Sequence, residues 1–245
     1  MMGITRYIRI LKLFDADKPN WTVAEMAEAL ETSASTLYRL VREMVAAELL
    51  ENTVESRYRL GPMFVEYYRR ITMTDPLIRS GAKFLGPLAE QVAIPCVAIL
   101  ARLYGKDVMC VAEHRGQNAH FKTSYELGRP MPLLRGATSR AVLSNLAKRN
   151  LMALINEELG ADADRKTKLI AELANLRKLG ICETRGEVDQ DLVGISAPLR
   201  NASLGINASV SVIVEARMLT DDLRARIYTA VTGTGRMIEG FMTEV

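Results

Sequence analysis

The sequence predicts an α+β chain in two parts: a small N-terminal module of helices closed by a hairpin, and a larger antiparallel sheet packed with helices. Three observations carry this. Apolar residues up to Leu50 recur at helical spacing, the period drops to two between Glu51 and Leu60, and beyond Asp75 runs of strand are interrupted by amphipathic helices. At 245 residues the chain has room for two domains, one of them small. The expected divisions are 1–61, a connecting helix over 62–75, and 76–245.

Taking the elements in order, Tyr7, Ile10, Leu11 and Phe14 are spaced i, i+3, i+4 and i+7 and predict a first helix from about Thr5 to Phe14. It stops near Asp17, Lys18 and Pro19, with Trp21 packing at its end. Thr22 and Glu25 form a capping box, T-x-x-E, that starts a short helix striped by Val23, Met26, Ala27 and Leu30. Glu31, Thr32 and Ser33 make the turn into a third helix, which Ser33 caps. Leu37, Leu40, Val41, Met44 and Val45 are its buried stripe. At about 100° per residue, Ser35, Thr36, Tyr38, Arg39, Arg42 and Glu43 then fall on the outward arc. Hydroxyls and guanidinium groups displayed on the second helix of a helix-turn-helix pair are what a DNA-reading helix presents.

After Leu50 a hairpin follows, with Glu51 and Asn52 on one strand and Glu55 and Ser56 able to turn. In Arg57-Tyr58-Arg59-Leu60 the alternation points Tyr58 and Leu60 inward and both arginines to solvent, which makes a wing suited to the phosphate backbone. Bulk charge gives no support, because the first 74 residues hold ten Lys and Arg against ten Asp and Glu and the whole chain carries only +3. A local strip made by Arg39, Arg42, Arg57 and Arg59 is the expected footprint. With Thr22, Ser33, Ser35, Thr36 and Tyr38 these are the candidate DNA contacts.

Gly61 and Pro62 open a helix through Met63, Phe64, Tyr67, Tyr68 and Ile71 whose large residues surround more of the cylinder than one core needs, so a second copy of the chain is expected against it. Further on, a helix through Leu77, Ala82, Leu85, Leu88 and Val92 precedes strands over Cys96 to Leu103, Asp107 to Glu113 and Ala119 to Tyr125. Gly128 to Leu134 reads as irregular. Helices are expected over Thr138 to Leu146, Asn150 to Glu158 and Asp164 to Leu179, the last stopped by Gly180. Strands return at Ile181 to Thr184, Leu192 to Arg200 and Gly205 to Val214, and a final helix runs from Thr220 to Phe241, giving a sheet covered on one face.

Several classes of function lack their signatures. The sequence contains no G-x-S-x-G, HExxH, Walker loop or G-x-G-x-x-G, and Gly233-Thr234-Gly235 lies within a helical pattern, so no enzyme is expected. Cys96, Cys110 and Cys182 are odd in number and in no CxxC pair, which fits a reducing compartment with small buried thiols. His114 and His120 have no third ligand at metal spacing, so no metal and no cofactor are expected. No apolar run reaches the roughly 18 residues of a membrane span, and Arg6, Arg9 and Lys12 interrupt the N-terminus, so the expectation is a cytoplasmic protein without a membrane partner.

A small acid would find donors at Gly136, Ala137, Thr138 and Ser139, where small side chains expose the unpaired amides of a helix start. Ser196 and the period-2 set Asn207, Ser209 and Ser211 either line a pocket with them or face water on an open sheet. His120 joins this candidate set, and Arg135 and Arg140 either pair with a carboxylate or form a solvated face.

Three stretches resemble the IclR-type bacterial transcriptional regulators: STLYRLVREMVAAELL with YRLG at Tyr58 to Gly61, GRPMPLLRGATSRAVLSNL at Gly128 to Leu146, and LRKLGICETRGEVDQDLVGISAPLRN at Leu176 to Asn201. Their order and spacing carry the resemblance over nearly the whole chain. It implies a winged helix-turn-helix domain that binds a pseudo-palindromic operator in double-stranded DNA. It also implies a C-terminal GAF/profilin-like domain that binds a small organic acid and holds a homodimer or dimer of dimers together. An aromatic or short-chain carboxylic acid is the effector class, with catabolism of such compounds the expected setting. The chain departs from the family at Leu134 and Arg135 (usually histidine and a small residue), Ser139 and Arg140 (glycine and lysine), and Val188 and Asp191 (an aromatic and a glycine), so no particular effector is implied. A small-molecule sensor that acts without DNA is the alternative, and it would need none of the four arginines.

Overall fold

A computed structural model describes residues 3–242, and the chain divides into two compact units, one ending at Thr74 and the other beginning at Asp75. In the first unit the helices are α1 (Thr5–Leu11), α2 (Val23–Ala29), α3 (Ala34–Ala46) and α4 (Met63–Thr74), and the strands are β1 (Trp21–Thr22), β2 (Leu50–Asn52) and β3 (Arg57–Leu60). The strands pair antiparallel in the order β1-β3-β2. Trp21 is therefore not only a plug behind the first helix but the third strand of the wing, opposite Tyr58. The core is the one the stripes spell out: Ile10, Val23, Met26, Leu37, Leu40, Val41, Met44 and Leu50 are buried together, with Tyr58 packed against them. Leu60, expected inward, is 43% exposed, because it sits at the rim of the ladder beside Leu50, which fills the space next to the core.

The wing joins α4 through Gly61, and no other residue fits there. A Cβ at this position would lie 2.2 Å from the Glu48 carbonyl oxygen. None of the residues of α4 is buried within its unit, and Val65 and Met73 are 73% and 57% exposed.

The second unit comprises α5 (Pro76–Gly81), α6 (Leu85–Val92), β4 (Cys96–Tyr104), β5 (Asp107–Arg115), β6 (Pro130–Met131), α7 (Gly136–Ser144), α8 (Lys148–Leu159), α9 (Ala163–Leu179), β7 (Cys182–Arg185), β8 (Leu192–Asn201), β9 (Ile206–Glu215) and α10 (Asp221–Met242). The six strands form one antiparallel sheet in the order β6-β5-β4-β9-β8-β7. Both faces are covered, where one was expected. Ala98, Leu100, Val210, Val212 and Val214 pack with Leu85, Leu88, Ile227, Val231 and Ile238 on one side. Thr138 of α7 meets Ser196, Ser209 and Ser211 on the other. The central strands β4, β8 and β9 are buried at nearly every position, the near-continuous apolar pattern of a doubly covered sheet.

The strand expected over Ala119 to Tyr125 does not form. Residues 116–129 are a loop, and the short β6 lies in the stretch that reads as irregular. Asn118 takes a left-handed backbone, and the Ser124 amide donates to the Asp189 carboxylate rather than to a neighbouring strand. Pro130 has no N–H to offer, which suits an edge.

Candidate functional site

Two places gather chemistry, one in each unit. In the first, Thr22 and Glu25 make the capping box: the Glu25 amide donates to the Thr22 hydroxyl at 3.2 Å and the Thr22 amide to Glu25 Oε2 at 2.7 Å. These bonds, with Lys18 and Arg57 alongside, hold the Glu25 carboxyl down at about 2. Ser33 caps α3, its Oγ accepting from the Thr36 amide and donating to the Thr36 hydroxyl at 2.9 Å. Thr22 and Ser33 thus hold the two helices at their start.

The outward arc of α3 is where the spacing put it. Ser35, Tyr38, Arg39 and Arg42 are exposed and Thr36 is half-buried. Arg39 pairs with Glu43 at 3.3 Å while remaining 62% exposed, a contact weak enough to exchange for a phosphate or base. Arg42 has no partner among the described residues. The wing arginines differ from each other: Arg59 pairs with Glu51 at the surface, whereas Arg57 reaches Glu25 at 3.3 Å and the Asn20 carbonyl at 3.5 Å. Arg57 therefore ties the wing to α2 and offers less charge to a duplex than Arg59.

In the second unit α7 lies over the sheet and is fixed at both ends. At its C-terminus Arg177 donates from Nη2 to the Leu146 carbonyl at 2.9 Å and from Nε to that of Ser144. At its start Gly136 has φ of +83°, and a Cβ there would lie 2.8 Å from Val188 and 3.0 Å from the Tyr125 hydroxyl. The Gly136 amide donates to Glu187 Oε2 at 3.1 Å and the Ala137 amide to Thr184 Oγ1 at 2.9 Å. An internal carboxylate thus occupies the anion position of a helix N-terminus.

Around this start lies a chamber of about 20 Å³, space for about one water, bounded by Gly136, Ala137, Thr138, Thr184, Gly194 and Ile213. Tyr125, Val188 and Asp189 close it. Asp189 is the clasp, accepting from Thr123 Oγ1 at 3.0 Å, the Ser124 amide at 2.9 Å and Ser124 Oγ at 2.5 Å. Burial raises the Tyr125 phenol above its ordinary value, so it is a neutral plug over the helix start.

The serines expected in the pocket lie beneath it. Ser196, Ser209 and Ser211 are fully buried, Ser196 donating to Ser211 at 2.7 Å, Thr138 Oγ1 to Ser211 at 3.0 Å, and Ser209 to the Thr138 carbonyl at 3.2 Å. They bolt α7 to the sheet. Ser139 donates to the Pro132 carbonyl at 2.9 Å, Asn207 is half-buried at the far end of β9, and His120 is exposed on the 116–129 loop. Spacing does not single out the other chamber residues, Tyr125, Thr184, Glu187, Val188, Asp189, Leu192, Gly194 and Ile213, as site residues, although those from Thr184 to Gly194 lie in the Leu176 to Asn201 stretch that carries the resemblance.

Burial pushes the thiols of Cys96, Cys110 and Cys182 up to about 11, 12 and 11, so none is a nucleophile near neutral pH. Cys182 is only half-buried, unlike the other two. Among the described residues no helix is long and apolar enough to cross a membrane.

Two family models match the chain. The model of the IclR helix-turn-helix domain matches residues 3–53, and that of the bacterial transcriptional regulator IclR C-terminal domain matches residues 75–239. The chain belongs to the IclR family. It is a DNA-binding transcriptional regulator of that family, whose members are transcription factors and not enzymes, and this sets aside a sensor that acts without DNA. The HTH-type transcriptional regulator KipR of Bacillus subtilis is 25% identical over 228 residues, covering 90% of this chain and 89% of that protein. The Pca regulon regulatory protein of Pseudomonas putida is 22% identical, covering 96% of this chain and 82% of that one. An IclR homologue from Microbacterium hydrocarbonoxydans, solved in complex with 4-hydroxybenzoate, has the same fold with a TM-score of 0.81 at 18% identity, covering 99% of each chain.

Proposed function

We propose that this IclR-type regulator reads its operator with the exposed arc of α3 and that a small organic acid, bound at the start of α7, changes its affinity for DNA. The observation that carries the reading is the arc itself: hydroxyls and two arginines, one unpartnered and one in an exchangeable pair, on a helix whose other face is wholly spent on the core. The residues proposed to touch DNA are Ser35, Thr36, Tyr38, Arg39, Arg42 and Arg59, with Thr22, Ser33 and Arg57 holding the module's shape. The protein acts as a dimer in this reading, because Phe64, Val65, Tyr67, Tyr68, Ile71 and Met73 of α4 leave an apolar surface that its own unit does not cover.

The acid enters by replacing Glu187 at the Gly136 amide and Thr184 at the Ala137 amide. A chamber for one water cannot hold it with Tyr125 and Val188 in place, so the Asp189 clasp opens as the acid binds. An aromatic acid is the first candidate, given the relative named for the Pca regulon and the homologue solved with 4-hydroxybenzoate. A differential affinity for the open and closed chamber of ~1–3 kcal/mol is enough to shift operator occupancy several-fold or more.

The test is a gel-shift titration on the DNA adjoining the gene at two salt concentrations. Arg39→Ala and Arg42→Ala are each expected to weaken specific binding by ~1–3 kcal/mol, and Arg59→Ala to weaken it across sequences and reduce the salt slope by about one. Titrations indistinguishable from the parent would sink the α3 reading. Thermal-shift screening of 4-hydroxybenzoate and short-chain acids tests the chamber, and no stabilisation by any of them would remove the effector proposal.

A further inference from the structure

A second cavity, of about 320 Å³, opens beside α7 between α9 and the turn that joins β7 to β8. Its walls carry Arg135, Arg140, Arg165 and Lys168 against Glu172 and Glu187, a surplus of two positive charges, over the apolar side chains of Leu134 and Leu169. Arg140 is held by Glu187 at 2.9 Å and Glu172 at 3.6 Å, yet its Nε is buried with no hydrogen-bond partner. The side chains of Arg165 and Lys168 pair with nothing among the described residues, and Arg135 donates to the Glu187 carbonyl, which satisfies a donor without neutralising the charge.

Like charges gathered in a half-enclosed space repel one another unless an anion joins them, and an orphaned guanidinium N–H in a buried position leaves a hydrogen bond unmade. The volume lies in the range of small-molecule sites. We propose that this cavity is a second anion site, distinct from the chamber at the α7 start, for a small organic dianion such as a phosphomonoester or a dicarboxylate. Its charged ends meet Arg140, Arg165 and Lys168, and its carbon body lies on Leu134 and Leu169. Glu187 is the one side chain that faces both places with a bond to each: Oε1 accepts from Arg140 and Oε2 from the Gly136 amide. A dianion that draws Arg140 away from Glu187 is therefore felt at the start of α7.

The experiment is isothermal titration calorimetry on the full chain with inorganic phosphate and, separately, succinate, at an ionic strength held constant with chloride. One saturable event per chain is expected for at least one of them. Arg165→Gln/Lys168→Gln, two exposed side chains whose loss leaves the core untouched, is expected to raise Kd at least tenfold. Lys166→Gln, on the same helix but bonded to Asn156, should stay within twofold. Phosphate alone binding assigns the site to phosphoryl groups, and succinate alone assigns it to dicarboxylates; either supports it. No saturable binding of either probe, or a double variant that binds like the parent, overturns it.

Discussion

Ser211→Ala tests whether the serines beneath α7 hold the helix or wait for a ligand. Thr138, Ser196 and Ser211 close a ring of hydroxyls with separations of 3.0, 2.7 and 3.4 Å, all buried. Removing the Ser211 oxygen abolishes the two short bonds and leaves only the 3.4 Å contact between the other two, so one buried hydroxyl hydrogen has nowhere to go. Such an orphan costs about 1–3 kcal/mol, and in a unit of this size 2 kcal/mol lowers the melting temperature by about 4–8 °C. Thr138→Val/Ser196→Ala/Ser211→Ala removes every member of the ring together, and apolar replacement of a whole hydrogen-bonded group is close to neutral. Scanning calorimetry of the three proteins is then expected to place the single variant below both the parent and the triple variant. Melting temperatures that fall steadily from parent to single to triple would refute the ring. A Ser211→Ala protein that melts like the parent but no longer responds to an acid would return these serines to the effector pocket.

Glu25 makes the N-terminal unit sensitive to acid. Its carboxyl sits at about 2, below its ordinary 4.5, so its contribution to stability is complete above about 4.5 and is lost as the pH falls toward 2; Glu25→Gln should remove that segment of a stability-versus-pH curve, and an unchanged curve would refute the cause assigned. At the wing tip Glu55 and Ser56 both have positive φ, the backbone that Asn-Gly adopts with least strain, so Glu55→Asn/Ser56→Gly is expected to raise stability by about 1 kcal/mol in urea titrations, and a loss would contradict the turn. Asp189→Ala unfastens the 116–129 loop, and hydrogen exchange at Ser124 and its neighbours should accelerate while α10 stays protected.

The N-terminal module was the more legible half, because its information is local. A capping box, a serine cap and a five-residue stripe each lie within one or two turns of chain, and the structure places all three as the spacing does. The exceptions are contacts that cross the module. Arg57 reads as a solvent-facing wing residue from its alternation with Tyr58, and only the fold brings Glu25, 32 residues away, beside it. In the second unit the strands of the sheet were legible from their apolar runs, but a strand buried on both faces and one buried on a single face with few polar residues look alike at this length. The stretch from Ala119 to Tyr125 has the composition of a strand, but its amides are taken by side chains: that of Ser124 donates to the Asp189 carboxylate and that of Tyr125 to Thr123 Oγ1.

The proposed effector site shows the same limit more sharply. Small residues at Gly136 to Ser139 announce an exposed helix start, and that much follows from side-chain size. What occupies the start comes from 47 and 51 residues downstream, and the clasp that shuts the chamber spans 65 residues between Ser124 and Asp189. No periodicity connects such positions. A period of two correctly puts Ser209 and Ser211 on the α7 side of β9, but it cannot distinguish a hydroxyl that faces a cavity from one that faces the underside of a helix. That distinction depends on how close α7 lies to the sheet, and α7 lies close because Thr138, Ser196 and Ser211 bond to one another. The polar residues expected to line a pocket are thus consumed in fixing α7 to the sheet, and what remains for the proposed ligand is backbone amides, which a sequence of side chains does not display.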